Sequence, residues 1–166
     1  MRSLARWALA LCLTGLPLAA ALAQDGIDAG PSLSAPGDVG IISLQSKHAV
    51  RITADRLEQG LRDKGLKLFA RIDHTAQAEA VKLALRPTQL LIFGDPRSGT
   101  LLMHQNQTLG LDLPLKYLVW ESTDHKVYIS WNNPYYLAQR HGIPANMELL
   151  TKLSQNLFQL AKKAAS

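Results

Sequence analysis

Residues 115–131 read LKYLVWESTDHKVYISW. This stretch contains two strand-like segments, 115–121 and 126–131, joined by a short polar tip. Three apolar side chains share one face of the second segment: Val127, Ile129 and Trp131. A tip this short joins neighbouring antiparallel strands, so the stretch predicts a β-hairpin with one buried face.

Three further strands are predicted upstream of the hairpin. Residues 39–46 form an apolar first strand, and residues 66–72 form a second one with period-two alternation. In that second strand one set of side chains points towards the core: Leu66, Leu68, Ala70 and Ile72. The apolar run 90–93, bounded by Pro87 and Gly94, is typical of a central strand.

Helices are predicted between and after these strands. The first spans 53–64, with Thr53 as its N-cap and Gly65 just beyond its end. Shorter helices are expected at 75–83, at 101–108 with Thr100 as the cap, and at 135–140. The last helix begins after Pro144 and has an apolar stripe at three-four spacing: Met147, Leu150, Leu153, Leu157, Leu160 and Ala164.

This order of elements predicts an α+β domain. Consecutive strands without long crossovers favour antiparallel pairing. The first and last helices then pack on one face of a single sheet. The folded unit is expected to run from residue 39 to residue 163.

The N-terminus predicts export. Residues 1–23 have a positive start, a short apolar region and a small-x-small end, so we expect a signal peptide cleaved between Ala23 and Gln24. Residues 24–38 are rich in Gly, Ser and Pro and predict a flexible leader. We therefore expect a periplasmic or secreted protein with no stable membrane anchor after cleavage.

Composition excludes several classes of function. Removal of Arg2 and Arg6 with the signal lowers the formal net charge from +5 to +3, which is too modest to call for nucleic acid. The only cysteine, Cys12, leaves with the signal, so a disulfide framework and a Cys-rich metal site are excluded. The familiar signatures of zinc peptidases, esterases and thiol oxidoreductases are missing. No cofactor can be named.

Two Asp/His/Arg groups are candidates for chemistry. Asp73 and His74 follow the second strand and provide a carboxylate and an imidazole for acid–base work or metal binding. The alternative is that Asp73 caps the next helix and His74 packs beside it. Arg140 is able to clamp a carboxylate and His141 to ligate a metal, or both residues simply interact with a helix C-terminus.

The loop 94–100 is a candidate anion site. Gly94-x4-Gly99-Thr100 has the spacing of a phosphate-binding loop. The essential lysine is absent, which excludes a nucleoside triphosphatase. Backbone amides near Gly99 and Thr100, together with Arg97 and the neighbouring Asp95, remain candidates for holding a small anion. The alternative is an ordinary turn.

Aromatic side chains cluster in the predicted hairpin. They form either a wall for a flat ligand or ordinary packing in a core or a homodimer interface. The four residues are Tyr117, Trp120, Tyr128 and Trp131.

Six short segments in the same order resemble the bacterial and archaeal family named "domain of unknown function 302". The resemblance covers about residues 40–143, and its segments are Arg71-Ile72-Asp73-His74, residues 85–96, Gly99-Thr100-Leu101-Leu102-Met103, Asp112-Leu113-Pro114-Leu115-Lys116, Asn133-Pro134-Tyr135 and Arg140-His141-Gly142. It implies a fold of the β-α-β(4)-α type, like the TATA-box-binding-protein-like group, but no activity. The family pattern usually has Asn at the position of Asp95.

Two functional hypotheses remain open. The first is a non-catalytic exported module that binds a small ligand, an anion or a partner, with Asp95, Arg97, Gly99, Thr100 and Arg140 as the binding residues. The second is a periplasmic enzyme or metal-binding protein. It uses Asp73, His74 and His141, with His74 and His141 as metal ligands, and requires these side chains to converge. A homodimer is compatible with both.

Overall fold

The computed structural model describes residues 40–166 of the chain. The predicted signal peptide 1–23, the leader 24–38 and the first residue of the predicted domain lie outside these residues. Within them, five strands and six helical segments follow one another: β1 (Ile41–Ser46), α1 (Val50–Asp63), β2 (Lys67–Asp73), α2 (His74–Ala80), β3 (Thr88–Gly94), α3 (Pro96–Met103), a 3-10 helix (Gln107–Leu111), β4 (Leu115–Glu121), β5 (Val127–Asn132), α4 (Pro134–Arg140) and α5 (Glu148–Ala165).

The strands form one antiparallel sheet in the order β1-β5-β4-β3-β2. Helices α1 and α5 contact each other and pack on the same face of this sheet. The structure therefore confirms the predicted α+β class, the hairpin and the covering role of the first and last helices. The main core lies between this helical layer and the sheet, and its fully buried members include Leu57, Leu61, Leu91, Phe93, Tyr117, Val119 and Ile129.

Helix α1 begins three residues earlier than the sequence predicts. Ala49 is the N-cap, and Thr53, predicted to be the cap, is fully buried inside the helix. The Thr53 hydroxyl lies 2.7 Å from the Ser46 hydroxyl and donates to the His48 carbonyl. The hydroxyl therefore joins β1 to α1 in the interior, where it satisfies polar groups that burial would otherwise leave unpaired.

The end of α1 follows the prediction. Gly65 has φ +68°, and the Leu66 amide donates to the Leu61 carbonyl while the Gly65 amide donates to Arg62. This pair of bonds is a Schellman motif, which requires a left-handed residue after the helix. The turn directs the chain from Lys64, the C-cap, straight into β2.

Strand β2 departs from the predicted alternation. Leu68 pairs with Phe93, but the next register pair is Ala70 with Ile92, so Phe69 is the extra residue of a β-bulge. The bulge reverses which side chains face the helices beyond it. Ala70 and Ile72, predicted to face the core, therefore share the opposite face with Ile92 and Leu90, since directly paired residues point to the same side.

Arg71 takes the helix-facing place instead. Its guanidinium lies 2.7 Å from Asp55 Oδ1 and 3.0 Å from Glu58 Oε2, both on α1. It also donates to the Gln89 side chain on β3. The bulge thus converts a position predicted to face solvent into an ionic link between the sheet edge and the first helix.

Candidate functional site

A cavity of about 650 Å³ lies between the N-terminal half of α5, helix α3 and the sheet. Ligand pockets span roughly 300–1,000 Å³, so this space matches that of a small organic molecule. Its walls are mostly apolar: Leu66, Phe69, Phe93, Leu102, Met103, Leu113, Leu115, Leu149, Leu153, Leu157 and Leu160. Polar and charged side chains on the lining are few, namely Lys64, Asp95, Ser98, Thr100, Lys152 and Asn156.

The cavity separates two hydrophobic clusters. Phe93 and Leu157 belong to the main core between the sheet and the helices, whereas Leu102 belongs to a second cluster around α3, α4 and the start of α5. Leu153 packs against both clusters. Water makes few hydrogen bonds in a space with such walls, so the cavity favours an apolar occupant.

The loop predicted to bind an anion forms one rim of this cavity. Asp95, Gly99 and Thr100 all line it. Two other residues proposed for the same ligand do not line it. Arg97 is exposed outside the lining, and Arg140 pairs with Asp112 at 3.3 Å.

Asp95, rather than Thr100, is the N-cap of the helix that follows the loop. Its carboxylate accepts from the Arg97 amide at 3.1 Å and from the Ser98 hydroxyl at 3.0 Å, and helix α3 starts at Pro96 instead of residue 101. These bonds, first the backbone N–H of Arg97 and then the hydroxyl, lower the pKa of Asp95. The Asp95 carboxylate accepts a hydrogen bond at the helix start where an anion would bind. The N-terminus of α3 therefore already faces a negative charge from the protein itself.

Asp112 and His141 form a largely buried polar cluster. His141 Nε2 lies 2.6 Å from Asp112 Oδ2, and His141 Nδ1 lies 2.8 Å from the Thr108 hydroxyl. The side chain of His141 is only 5% exposed. Asn106, the N-cap of the 3-10 helix, donates to the His141 carbonyl at 2.8 Å.

This cluster has a hydroxyl, an imidazole and a carboxylate in line, but its contacts hold two segments of the fold together. It ties the 3-10 helix to the end of α4, and none of its side chains lines the cavity. The sequence analysis named His141 but did not identify its partners, because Thr108 and Asp112 lie 33 and 29 residues before it in the chain and follow no local spacing rule with it.

Asp73 and His74 lie at the other end of the sheet. Asp73 pairs with Gln89 in β3, whereas Asp112 precedes β4, whose Leu115 pairs with Phe93. The four residue steps from 89 to 93 span about 14 Å of strand. Because His141 is bound to Asp112, the convergence of Asp73, His74 and His141 that the enzyme hypothesis requires does not occur.

Asp73 instead caps the helix that follows it. Its carboxylate accepts from the Ala76 amide and from the Gln89 side chain, both at 3.0 Å. This is the alternative considered in the sequence analysis for this residue. Among residues 40–166, no group of three or more His, Cys, Asp and Glu side chains is placed to hold a metal ion.

The four hairpin aromatic residues divide between the two faces of the sheet. Tyr117 stacks on Phe93 and meets the edge of Trp131 in the core. Trp120 stacks on Tyr128 on the opposite face, with ring centroids 5.4 Å apart, and its indole N–H donates to the Ser130 hydroxyl. They therefore form two packed pairs and not one aromatic wall.

Most of the cavity wall was not identified from the sequence. Leu149, Lys152, Leu153 and Asn156 reach it from α5, and Lys64 reaches it from the end of α1. The leucines belong to the predicted apolar stripe or lie beside it, and a stripe of this kind does not distinguish a packed position from a lining one.

The chain is thus an α+β domain with a ligand-sized apolar cavity beside its sheet. The family model "Domain of unknown function DUF302" matches residues 42–160, and the chain belongs to this family. The family suggested by the resemblance is confirmed. Among solved structures, an uncharacterized conserved protein DUF302 from Bacillus stearothermophilus is similar, with a TM-score of 0.68, 19% identity, and coverage of 76% of this chain and 99% of that one. This likeness supports the fold.

Curated relatives carry a different name. The chain is 38% identical over 122 residues to proteins called fluoride-specific ion channel FluC 1 in Brucella suis and Brucella abortus. The match covers 74% of this chain, and the chain spans about half the length of these relatives, 48% and 45%. Among residues 40–166, no helix combines the length and apolarity that crossing a bilayer requires.

Proposed function

We propose that this protein is a binding module that holds one small apolar molecule in the cavity between α3 and α5. The observation that carries this proposal is the cavity itself, about 650 Å³ in volume and lined mainly by leucine, phenylalanine and methionine. Burial of apolar ligand surface there is favourable by about 25 cal/mol per Å². The side chains proposed for catalysis do not converge, which favours binding over chemistry.

Binding of a small anion in this cavity has less support than binding of an apolar molecule. The amides at the start of α3 already face the Asp95 carboxylate, and Arg140 is engaged by Asp112. The apolar walls also lack the dense N–H donors that a small hydrated anion requires. Fluoride conduction, which the names of the Brucella relatives describe, is therefore not part of this proposal.

Binding of a neutral apolar dye, N-phenyl-1-naphthylamine, tests the proposal by fluorescence. We expect saturable binding by the purified chain, and loss of binding when the cavity is filled from either side. Gly99→Leu fills it from α3, because a Cβ at this position would lie 3.5 Å from the lining residue Leu113. Leu149→Trp fills it from α5.

Each filling variant has a matched control. Gly99→Ala makes the same backbone change with a small side chain, and Leu111→Trp adds an indole at a residue that is 78% exposed and does not line the cavity. Both controls should bind the dye like the unaltered chain, and thermal unfolding confirms that every variant folds. Equal binding by filled and control variants would overturn the proposal.

We also infer export, which rests on the N-terminal sequence alone. A positive start, a short apolar region and Ala21-Leu22-Ala23 support cleavage before Gln24. Intact-mass analysis of the protein recovered from its native host tests this, since the mature chain must begin at Gln24. A chain that keeps its first residues inside the cell would contradict the inference.

A further inference from the structure

The charges on the cavity rim are unevenly distributed. Lys64 and Lys152 line it on the side of α1 and α5, and Asp95 lines it at the start of α3. Asp95 is already engaged by the Arg97 amide and the Ser98 hydroxyl. The cavity lining thus has two lysine side chains on one side and a carboxylate with its own donors on the other.

The two lysines are available to a ligand. Within residues 40–166 Lys64 makes no ion pair, and its acidic neighbour Asp63 lies 3.8 Å from the Lys163 ammonium. Lys152 pairs with Glu148 at 2.6 Å, but these side chains are 64% and 81% exposed, so the pair contributes little and is easily exchanged. A third cation, Lys67, lies 4.9 Å from the ring of the lining residue Phe69.

From this arrangement we propose that the ligand is a single-chain amphiphile with an anionic head group, a carboxylate or a phosphate. The alkyl chain lies among the leucines between the two hydrophobic clusters, and the head group lies at the rim against Lys64 and Lys152. This proposal rests on the proposed function, since it names the chemical class that the apolar cavity takes. A purely apolar molecule would leave the lysines unused, and a cationic one would meet them unfavourably.

Displacement of N-phenyl-1-naphthylamine by four decyl compounds below their micellar concentrations tests the proposal. Decanoate and decyl phosphate carry negative heads, decanol is neutral, and decyltrimethylammonium is positive. We expect both anions to displace the dye at lower concentration than decanol, and the cation to be the weakest. The relative strength of the two anions distinguishes carboxylate from phosphate.

The double variant Lys64→Gln/Lys152→Gln isolates the role of the rim. We expect it to bind decanoate about two- to thirtyfold more weakly, which is the range for two exposed ion pairs, and to bind decanol with unchanged affinity. Lys162→Gln is the control on the same helix, at an exposed position that does not line the cavity. Raising the salt concentration should reduce the preference for anions in the unaltered chain.

The outcomes separate the two proposals. If the dye does not bind, or if filled and control variants bind it equally, the proposed function fails. If the dye binds in the cavity but no decyl compound displaces it, the ligand is not an alkyl amphiphile and this inference alone is overturned. If decanol and decanoate compete equally, or the double variant weakens both alike, the cavity binds apolar molecules without selecting an anionic head, and this inference alone is overturned.

Discussion

The Tyr117 hydroxyl donates a 2.6 Å hydrogen bond to the main-chain carbonyl of Leu157. Tyr117 is on β4, in the middle of the sheet, and Leu157 is on α5, so the bond joins the two layers of the domain. Leu157 also lines the cavity. The same contact that fixes α5 over the sheet therefore fixes one wall of the candidate ligand site.

Tyr117→Phe removes this bond without creating a large void. We expect the free energy of unfolding to fall by about 1 kcal/mol, the usual net value of a buried hydrogen bond. Urea denaturation at neutral pH measures the change. Tyr128→Phe is the control, because the Tyr128 hydroxyl makes no hydrogen bond among residues 40–166. Equal losses in the two variants would contradict the assignment.

Tyr117 also predicts a loss of stability in alkali. Burial raises the pKa of Tyr117 above its ordinary value. Because the folded-state pKa exceeds the unfolded value of about 10, the contribution is fully present below about pH 10 and is lost as the pH rises further. Stability measured between pH 9 and 11 should therefore fall less steeply in Tyr117→Phe than in the unaltered chain. Parallel curves would show that Tyr117 ionises freely.

The contribution of Asp95 to folding stability is expected to be lost in acid instead of in alkali. The Arg97 amide and the Ser98 hydroxyl lower the pKa of Asp95, so its contribution is present above the unfolded value of about 3.9 and is lost as the pH falls through the folded value. Asp95→Asn keeps an oxygen that can cap α3 but cannot titrate there. We expect similar melting temperatures at pH 7 and a smaller loss on acidification. A steeper acid loss in the variant would refute this account.

The Asp112–His141 hydrogen bond is expected to contribute strongly to the stability of the fold. Asp112→Ala leaves the buried His141 ring nitrogen without its acceptor, which should cost about 2–3 kcal/mol of stability. Dye binding by the folded fraction should persist, because none of these side chains lines the cavity. Asp124→Ala, in the exposed pair with Lys126, is the control and should leave stability unchanged. A variant that loses dye binding while fully folded would assign the cluster to the site.

Gly99 offers a stabilising substitution. It lies inside helix α3, its φ is not in the left-handed region, and an added Cβ would make an ordinary contact with Leu113 at 3.5 Å. Gly99→Ala should therefore raise stability by about 0.5–1 kcal/mol through helix propensity. Chemical denaturation measures this change. Destabilisation by Gly99→Ala would mean that this position in α3 requires the conformational freedom of glycine.

Much of the fold could be predicted because its signals are local. The hairpin follows from alternation around a polar tip, and the end of α1 from the placement of Gly65. The bulge at Phe69 could not be predicted, since an extra residue is fixed by pairing with β3 and leaves no mark on the sequence of β2. Thr53 was mistaken for a cap because its hydroxyl satisfies interior groups as well as it would a helix start.

The candidate site was predicted only in part, for a similar reason. Asp95, Gly99 and Thr100 were selected as anion-binding residues because they lie in a segment dense in turn residues, and the structure places them on the cavity lining. The other wall depends on how far α5 stands from α3, which is a property of packing between distant segments. Arg140 was assigned to the ligand because nothing in its own segment reveals Asp112 as its partner.

The bulge in β2 has a consequence for self-association. Strands β2 and β1 are the two edges of the sheet, and they differ in how readily they accept a further strand. Phe69 interrupts the ladder of β2, whereas β1 pairs with β5 in unbroken register from Ile41 to Ser46. Bulged edges resist strand addition. Addition of a further strand is therefore less favourable at the β2 edge than at the β1 edge.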